Sequence, residues 1–255
     1  MAHPHPYLDD PPPLAFAHRG GAAHGDENTA EAFARAIALG YRYVETDVHA
    51  TRDGAAVVFH DPTLHRITGE KGRIDSLRWA DLATVRVGGA AAVPRLDDVL
   101  GGWPQVRFNI DVKAAGGIEP TVGTVQRAGA ADRVLLASFS DARLRRLRAL
   151  AGPKVATSLG MRGVARVWLA SRTGRRIDLP PTVVAAQVPV RHSGIRVVDR
   201  RFVDYAHRLG LQVHVWTVDE PAEMHELLDL GVDGIMTDHV DVLRDVYRGR
   251  GHWAA

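Results

Sequence analysis

The sequence predicts a (β/α)8 (TIM) barrel with a β-hairpin extension and a short excursion after the second strand. The first reason is length: 255 residues is the size of one such barrel. The second is alternation. From residue 106 onward, short apolar runs take turns with helical patterns over short connections, as in βα units on a parallel sheet. The third is the placement of polar groups. His18-Arg19, Glu45 to Asp47, His60, Asp111 to Lys113 and Trp216 lie far apart in the chain. Each lies at or near the end of a strand-like run, where a barrel gathers such residues at one rim.

Residues 1–13 carry Pro4, Pro6, Pro11, Pro12 and Pro13 and read as an extended or flexible lead-in. Leu14–His18 is the first strand. Asn28-Thr-Ala-Glu31 has the form of a capping box opening a helix Ala30–Leu39, with Gly40 as its stop. Tyr43–Asp61 then reads as two strands joined by Asp53-Gly54, a strong hairpin signal because both turn positions need φ > 0. With a two-residue loop, Arg52 faces Ala55, Ala50 faces Val57, Val48 faces Phe59 and Asp47 faces His60. Side-chain alternation then puts Glu45, Asp47 and His60 on one face.

Residues 61–105 are the longest departure from βα alternation and read as an excursion from the barrel. It holds a short surface helix Asp75–Ala83 and a helical piece Leu96–Leu100 after Pro94. Strands follow at Val106–Val112, Val134–Ser138, Lys154–Leu159, Thr182–Val188, Leu211–Val218 and Asp233–Thr237. Helices are expected at Ile118–Ala128, Asp141–Leu150, Val164–Ala170, Asp199–Leu209, Glu220–Leu230 and His239–Tyr247. Ser171–Pro181 reads as an Arg-rich loop. Nine strand candidates result, one more than a closed barrel needs; the return strand of the hairpin is the surplus. A doubly wound sheet is disfavoured because no glycine-rich dinucleotide fingerprint follows the first strand. One domain, 14–248, is expected, with 249–255 as a tail.

Composition is that of an ordinary globular chain, 45% hydrophobic and 24% charged. A formal net charge of +2 gives no case for nucleic acid. The cluster Arg143, Arg145, Arg146 and Arg148 has the spacing of a solvent-facing helix side. The chain has no cysteine, so disulfide and thiol chemistry are excluded. No run is long enough to span a membrane and the N-terminal residues lack a leader pattern, so the expected location is cytoplasmic.

The strand-end residues define the chemistry. His18 and His60 exchange protons near neutral pH. Glu45, Asp47 and Asp111 would repel one another in one mouth unless a cation joined them, and an all-oxygen set suits a hard ion, Mg²⁺ or Ca²⁺. Arg19 and Lys113 add a guanidinium fork and a point charge, which suit a phosphate. Lys113 is one of only three lysines, with Lys71 and Lys154. An anionic phosphate, a divalent ion and two histidines point to phosphodiester cleavage.

Together these segments resemble the glycerophosphodiester phosphodiesterase family. The residues that carry the resemblance are His18-Arg19-Gly20, Glu27-Asn28-Thr29, Glu45-Thr46-Asp47-Val48, Asp53-Gly54 and Val57-Val58-Phe59-His60-Asp61. Further on they are Asn109-Ile110-Asp111-Val112-Lys113, Val215-Trp216-Thr217-Val218 and Gly231–Asp238. The resemblance runs in order over about residues 16–238. It implies hydrolysis of glycerophosphodiesters to glycerol 3-phosphate and an alcohol. His18 and His60 would be the acid–base pair, and Glu45, Asp47 and Asp111 would hold Mg²⁺ or Ca²⁺. Arg19 and Lys113 would bind phosphate, and Trp216 would wall the glycerol side. The route usual in the family runs through a cyclic phosphate; the residues allow it and equally allow direct attack by water.

Two positions depart from the family pattern. Asp111 stands where glutamate is usual, which shortens the reach and disfavours an ion needing near-ideal octahedral geometry relative to calcium. Asp219 stands where asparagine is usual and is expected to cap the helix at Glu220. Two other readings use the same residues. One is a lipid-acting relative of the lysophospholipase D or sphingomyelinase D type. The other is a non-catalytic phosphodiester-binding barrel, which the retention of both histidines and all three carboxylates disfavours.

Overall fold

The computed structural model describes residues 5–253. Eight parallel strands form a closed barrel: Leu14–Ala17, Tyr43–Ala50, Arg107–Val112, Val134–Ala137, Ala156–Ser158, Val183–Pro189, Gln212–Trp216 and Gly234–Thr237. Closure comes from Leu14–Ala17, which pairs with Gly234–Thr237 on one side and with Tyr43–Ala50 on the other. Helices lie between successive strands and cover the outside. Their apolar stripes meet the outward strand residues in the larger core, which includes Phe33, Phe108, Leu144, Phe202 and Leu243.

Period-two alternation builds the inside. Leu14, Phe16, Tyr43, Leu135, Ala156, Ala185 and Met236 pack within the barrel. Moving up the same rows, Phe16 gives way to His18, Tyr43 to Glu45 and Asp47, Ala137 to Phe139, and Met236 to Asp238. Chemistry therefore sits at the C-terminal rim on an apolar floor.

The floor extends into the lead-in. The short turn Pro6–Leu8 buries Tyr7 and Leu8 completely, the Tyr7 ring meets Tyr43 edge-on at 5.6 Å, and the Tyr43 hydroxyl donates to the Tyr7 carbonyl at 3.0 Å. The expected flexible lead-in is thus, over its described residues, a plug of the barrel. At the other end Trp253 packs on Tyr41, ring centroids 5.0 Å apart, so the expected tail also contributes to packing. The last helix runs to Gly249.

The hairpin register differs from expectation. Val48 pairs with Val58, His49 with Val57 and Ala50 with Ala56, one residue away from the two-residue-loop pairing. Thr51 is the cause. Its carbonyl accepts from Gly54 N at 3.0 Å and its hydroxyl from Ala55 N at 2.9 Å, so three residues turn the chain, with Gly54 at φ 83. Phe59 N donates to the Asp47 carbonyl, and His60 follows in an irregular bend. Its place beside Asp47 comes from that bend, not from strand pairing.

The excursion has its own core of Val57, Phe59, Leu64, Ile74, Leu82, Val85 and Val93. The single helix expected at Asp75–Ala83 is two pieces, Ile74–Ser76 and Trp79–Leu82. The helix expected at Val164–Ala170 runs from Met161 to Thr173. The Arg cluster is only partly a solvent face: Arg143 Nε donates to Ser138 at 2.8 Å and Arg148 Nε to Thr157 at 2.9 Å. Among the described residues no helix is long and apolar enough to cross a membrane.

Leu8→Ala should lower unfolding free energy by about 2–5 kcal/mol, as for a fully buried leucine. Urea unfolding checks this; a change within about 0.5 kcal/mol would mean the plug does not support the barrel.

Candidate active site

The first strand ends in a tight corner. Arg19 adopts φ 51, and Gly20 and Gly21 follow at φ 82 and 91. A Cβ on Gly20 would lie 2.6 Å from Phe33 Cδ1, so only glycine lets the corner pack against the first helix. The corner turns Arg19 N toward Glu45 Oε2, 3.1 Å away.

On the neighbouring strands Asp47 sits directly beside Asp111, and Glu45 beside Asn109. All four point inward and are buried. Three carboxylates this close are held by cations from the chain itself. Lys113 Nζ lies 2.6 Å from Asp47 Oδ1 and 2.6 Å from Asp111 Oδ2. Arg19 Nε lies 3.3 Å from Asp47 Oδ2, and its Nη1 donates to Glu27 at 3.0 Å. Burial opposes the charge on Asp47, but Lys113, Arg19 and His60 outweigh it and hold the carboxyl below its ordinary range. Glu45 has weaker help. Burial and the Asp47 charge push it up to about 7 against the partial relief of His18, Lys113 and Arg19.

Asp111 Oδ1 and Asn109 Oδ1 are buried without a hydrogen-bond partner. Among the described residues no group of three or more His, Cys, Asp or Glu is arranged as a finished metal site. The donor type nevertheless suits a hard cation, and the Lys113 ammonium stands where positive charge is required.

Both histidines are held the same way. His18 Nδ1 meets Asp238 Oδ1 at 2.7 Å, and His60 Nδ1 meets Asp61 Oδ1 at 2.6 Å. An Nδ1–H bound to carboxylate fixes the tautomer and makes Nε2 the proton-exchanging nitrogen. His18 Nε2 is 3.8 Å from Glu45 Oε2. Burial favours neutral His18, but Glu45 and Asp238 win and raise its pKa.

Several partners escape a reading of motifs. Asp238 closes a quoted motif, yet its bond to His18 spans 220 positions. Asn28 is not the helix cap: it sits at φ 61 and donates Nδ2 to Asp47 Oδ2 at 2.9 Å, while Thr29 caps the helix. Asparagine tolerates a positive φ better than most residues, which suits it to this corner. Asp219 does not cap Glu220. It accepts from Thr237 Oγ1 at 2.8 Å and Asp238 N at 2.9 Å, which steadies the partner of His18. Arg66, in the excursion, donates to Asp61 at 2.5 Å and through both terminal nitrogens to Glu27 at 2.8 and 2.6 Å. It ties the His60 side of the rim to the Arg19 side.

His18, Arg19, Glu45, Asp47, His60, Asp111, Lys113 and Trp216 all line one cavity of about 600 Å³. Every sequence-predicted site residue is therefore at the barrel mouth. Trp216 meets Phe139 edge-on at 5.5 Å.

A barrel mouth with two carboxylate-held histidines, a basic pair and a buried acidic cluster is that of a phosphoric diester hydrolase. The chain belongs to the glycerophosphoryl diester phosphodiesterase family, whose profile matches residues 18–242. It is 44% identical over 245 residues to the "Probable glycerophosphodiester phosphodiesterase 2" of Mycobacterium tuberculosis, covering 94% of this chain and 92% of that one. It is 27% identical to a glycerophosphodiester phosphodiesterase of Caldanaerobacter subterraneus, covering 93% and 99%. The fold also matches an Oleispira antarctica phosphodiesterase solved with sn-glycerol-3-phosphate, at TM-score 0.78 and 21% identity over 93% and 97% of the two chains.

The folded Glu45 titrates at about 7 against an ordinary 4.5. A raised folded pKa means full stability below the ordinary value, with loss as pH rises toward the folded value. His18, also raised, adds stability that is lost in the same direction. In chelator-treated protein Tm should fall from about pH 5 to about pH 8, and Glu45→Gln should flatten the fall; parallel curves would refute this origin. Arg66→Ala should lower kcat about 10- to 100-fold by loosening His60 and should also lower Tm by removing two bonds to the buried Glu27; wild-type turnover in a steady-state assay would remove its positioning role.

Proposed function

We propose that the chain hydrolyses glycerophosphodiesters to glycerol 3-phosphate and an alcohol, with His18 and His60 as the acid–base pair and a divalent cation at Glu45, Asp47 and Asp111. The observation that carries the reading is the matched pair of histidines, each fixed through Nδ1 by its own aspartate, opening on one cavity with the phosphate-binding candidates Arg19 and Lys113.

One histidine withdraws the proton of the attacking hydroxyl: attack by water gives glycerol 3-phosphate directly, whereas attack by the glycerol hydroxyl of the substrate gives a cyclic phosphate that a second attack, by water, opens to glycerol 3-phosphate. The other protonates the departing alcohol oxygen as its bond to phosphorus breaks. His18, whose pKa Glu45 and Asp238 raise against the opposing effect of burial, suits the acid role; His60 then serves as base. Arg19 and Lys113 neutralise the phosphoryl oxygens as charge moves onto them, and Trp216 walls the glycerol. A bound Mg²⁺ or Ca²⁺ supplies charge neutralisation at the phosphoryl group. Support for that ion is the unpartnered, buried Asp111 Oδ1 and the strain of like charge that keeps Glu45 partly protonated. The sn-glycerol-3-phosphate of the Oleispira protein is the product expected here.

The substrate is a small molecule; no partner chain is required by the reading. The test is turnover of glycerophosphocholine and glycerophosphoethanolamine by chelator-stripped protein, with released glycerol 3-phosphate read by a coupled dehydrogenase. Activity should return with Mg²⁺, Ca²⁺ or Mn²⁺, and His18→Ala and His60→Ala should each lower kcat by about 10²–10⁴. Undiminished turnover without metal removes the cation, and an active His18→Ala removes the acid–base assignment.

A further inference from the structure

His18 and His60 line the cavity; a third histidine, His49, is buried and does not. It follows directly on Glu45-Thr46-Asp47-Val48 near the end of the strand Tyr43–Ala50. A buried histidine on a strand is ordinarily a core residue. The partner of this one is the backbone of a site residue.

The hairpin register by itself would misplace His60. Val48 pairs with Val58 and His49 with Val57, so Phe59 stands opposite Asp47, and a regular continuation would set His60 opposite Thr46. Opposed side chains share a face. Thr46 lies on the face away from Glu45 and Asp47, where its hydroxyl donates to Asn28 Oδ1 at 2.7 Å. Strand pairing alone would therefore turn the His60 ring out of the mouth, because a one-residue change of register exchanges the two faces. The chain avoids this by leaving the ladder. Phe59 N still donates to the Asp47 carbonyl at 3.0 Å, and His60 follows in a bend.

That bend has a clamp. His49 Nε2 lies 3.0 Å from the His60 carbonyl oxygen. A carbonyl only accepts, so the hydrogen of this bond is on Nε2 and the ring donates. His49 is the next residue up the row of Glu45 and Asp47. One strand thus carries the two carboxylates and holds the backbone of the histidine that faces them. Asp61 holds the same histidine by its ring, with Oδ1 2.6 Å from His60 Nδ1. Asp61 sets which ring nitrogen exchanges the proton; the clamp on the carbonyl sets where the ring starts from.

We propose that His49 is a positioning residue for the hydrolysis: its Nε2–H holds the His60 carbonyl and so fixes the bend that returns the His60 ring to the face of Glu45 and Asp47. The inference rests on the phosphodiesterase reading above and adds to it a residue that touches no substrate. Loosening the bend displaces His60 Nε2 from the reacting oxygen, and a displacement of about 1 Å costs on the order of 10²-fold in rate.

The test compares His49→Gln with His49→Leu in the metal-loaded protein on glycerophosphocholine. The glutamine amide nitrogen stands as many bonds from Cβ as histidine Nε2 does and donates likewise, whereas leucine fills space without a donor. His49→Met replaces the leucine variant if that one does not fold. His49→Leu should lower kcat about 10- to 100-fold with KM within about twofold, and His49→Gln should recover kcat to within about threefold of wild type. In a His60→Ala background, His49→Leu should cost less than about twofold more, because the residue it acts through is gone. An unchanged kcat in His49→Leu, no recovery in His49→Gln, or equal losses in both backgrounds overturns the inference and leaves the phosphodiesterase reading intact. If the wild type is silent, or His60→Ala is fully active, that reading fails instead. The imidazole ¹H–¹⁵N spectrum then decides the clamp: His60 ring resonances moved by His49→Leu and restored by His49→Gln support it, and unmoved resonances refute it.

Discussion

Asp47 stands directly beside Asp111 on adjacent parallel strands, with Glu45 one inward position below. Three carboxylates with almost no exposure cannot all ionise in so small a volume without positive charge. Lys113 supplies it by bridging two of them at 2.6 Å each, and Arg19 serves Asp47 and Glu27. Glu45 has the weaker compensation, so burial and the Asp47 charge push its carboxyl up to about 7. Removing either cation from such a cluster would strand a buried charge, which is far more costly than the pair is stabilising. The corner at Gly20, the side chain of Asn28 and the ties of Arg66 all serve to hold this cluster in place.

The same electrostatic arrangement separates two chemically equal histidines. Each is fixed through Nδ1 by an aspartate, but only His18 also faces Glu45. Burial favours the neutral ring, but Glu45 and Asp238 outweigh it and raise the His18 pKa. Two imidazoles with one kind of anchor and different surroundings are the arrangement on which the proposed acid–base pair rests.

Beyond the charged cluster the mouth also carries apolar residues, among them Phe139, Met161 and Ile195. Phe139 touches both regions, through Lys113 on one side and Trp216 on the other. The rows of the barrel explain this. The rows that begin at Phe16 and Tyr43 end in polar groups, whereas the row through Leu135 and Ala137 ends in Phe139. The rim therefore inherits its polarity strand by strand.

The sequence by itself determined the eight barrel strands, the surplus strand and the eight polar and aromatic residues that the fold gathers at one mouth. These follow from local regularities: period-two alternation, strand ends marked by polar residues, and loops marked by glycine and proline. The helix cap at Thr29, the hairpin register and the packed lead-in were misread because single side chains settled them. Thr51 enlarged the turn, Asn28 was drawn to Asp47, and Tyr7 and Leu8 found the open end of the barrel. Only the tertiary structure decided which charge meets which. Asp238 reaches His18 because the last strand pairs with the first, and Arg66 reaches Glu27 because the excursion folds back over the rim. Alternation is written in neighbouring residues, but the partner of a buried charge is chosen by closure of the barrel, which no local pattern encodes.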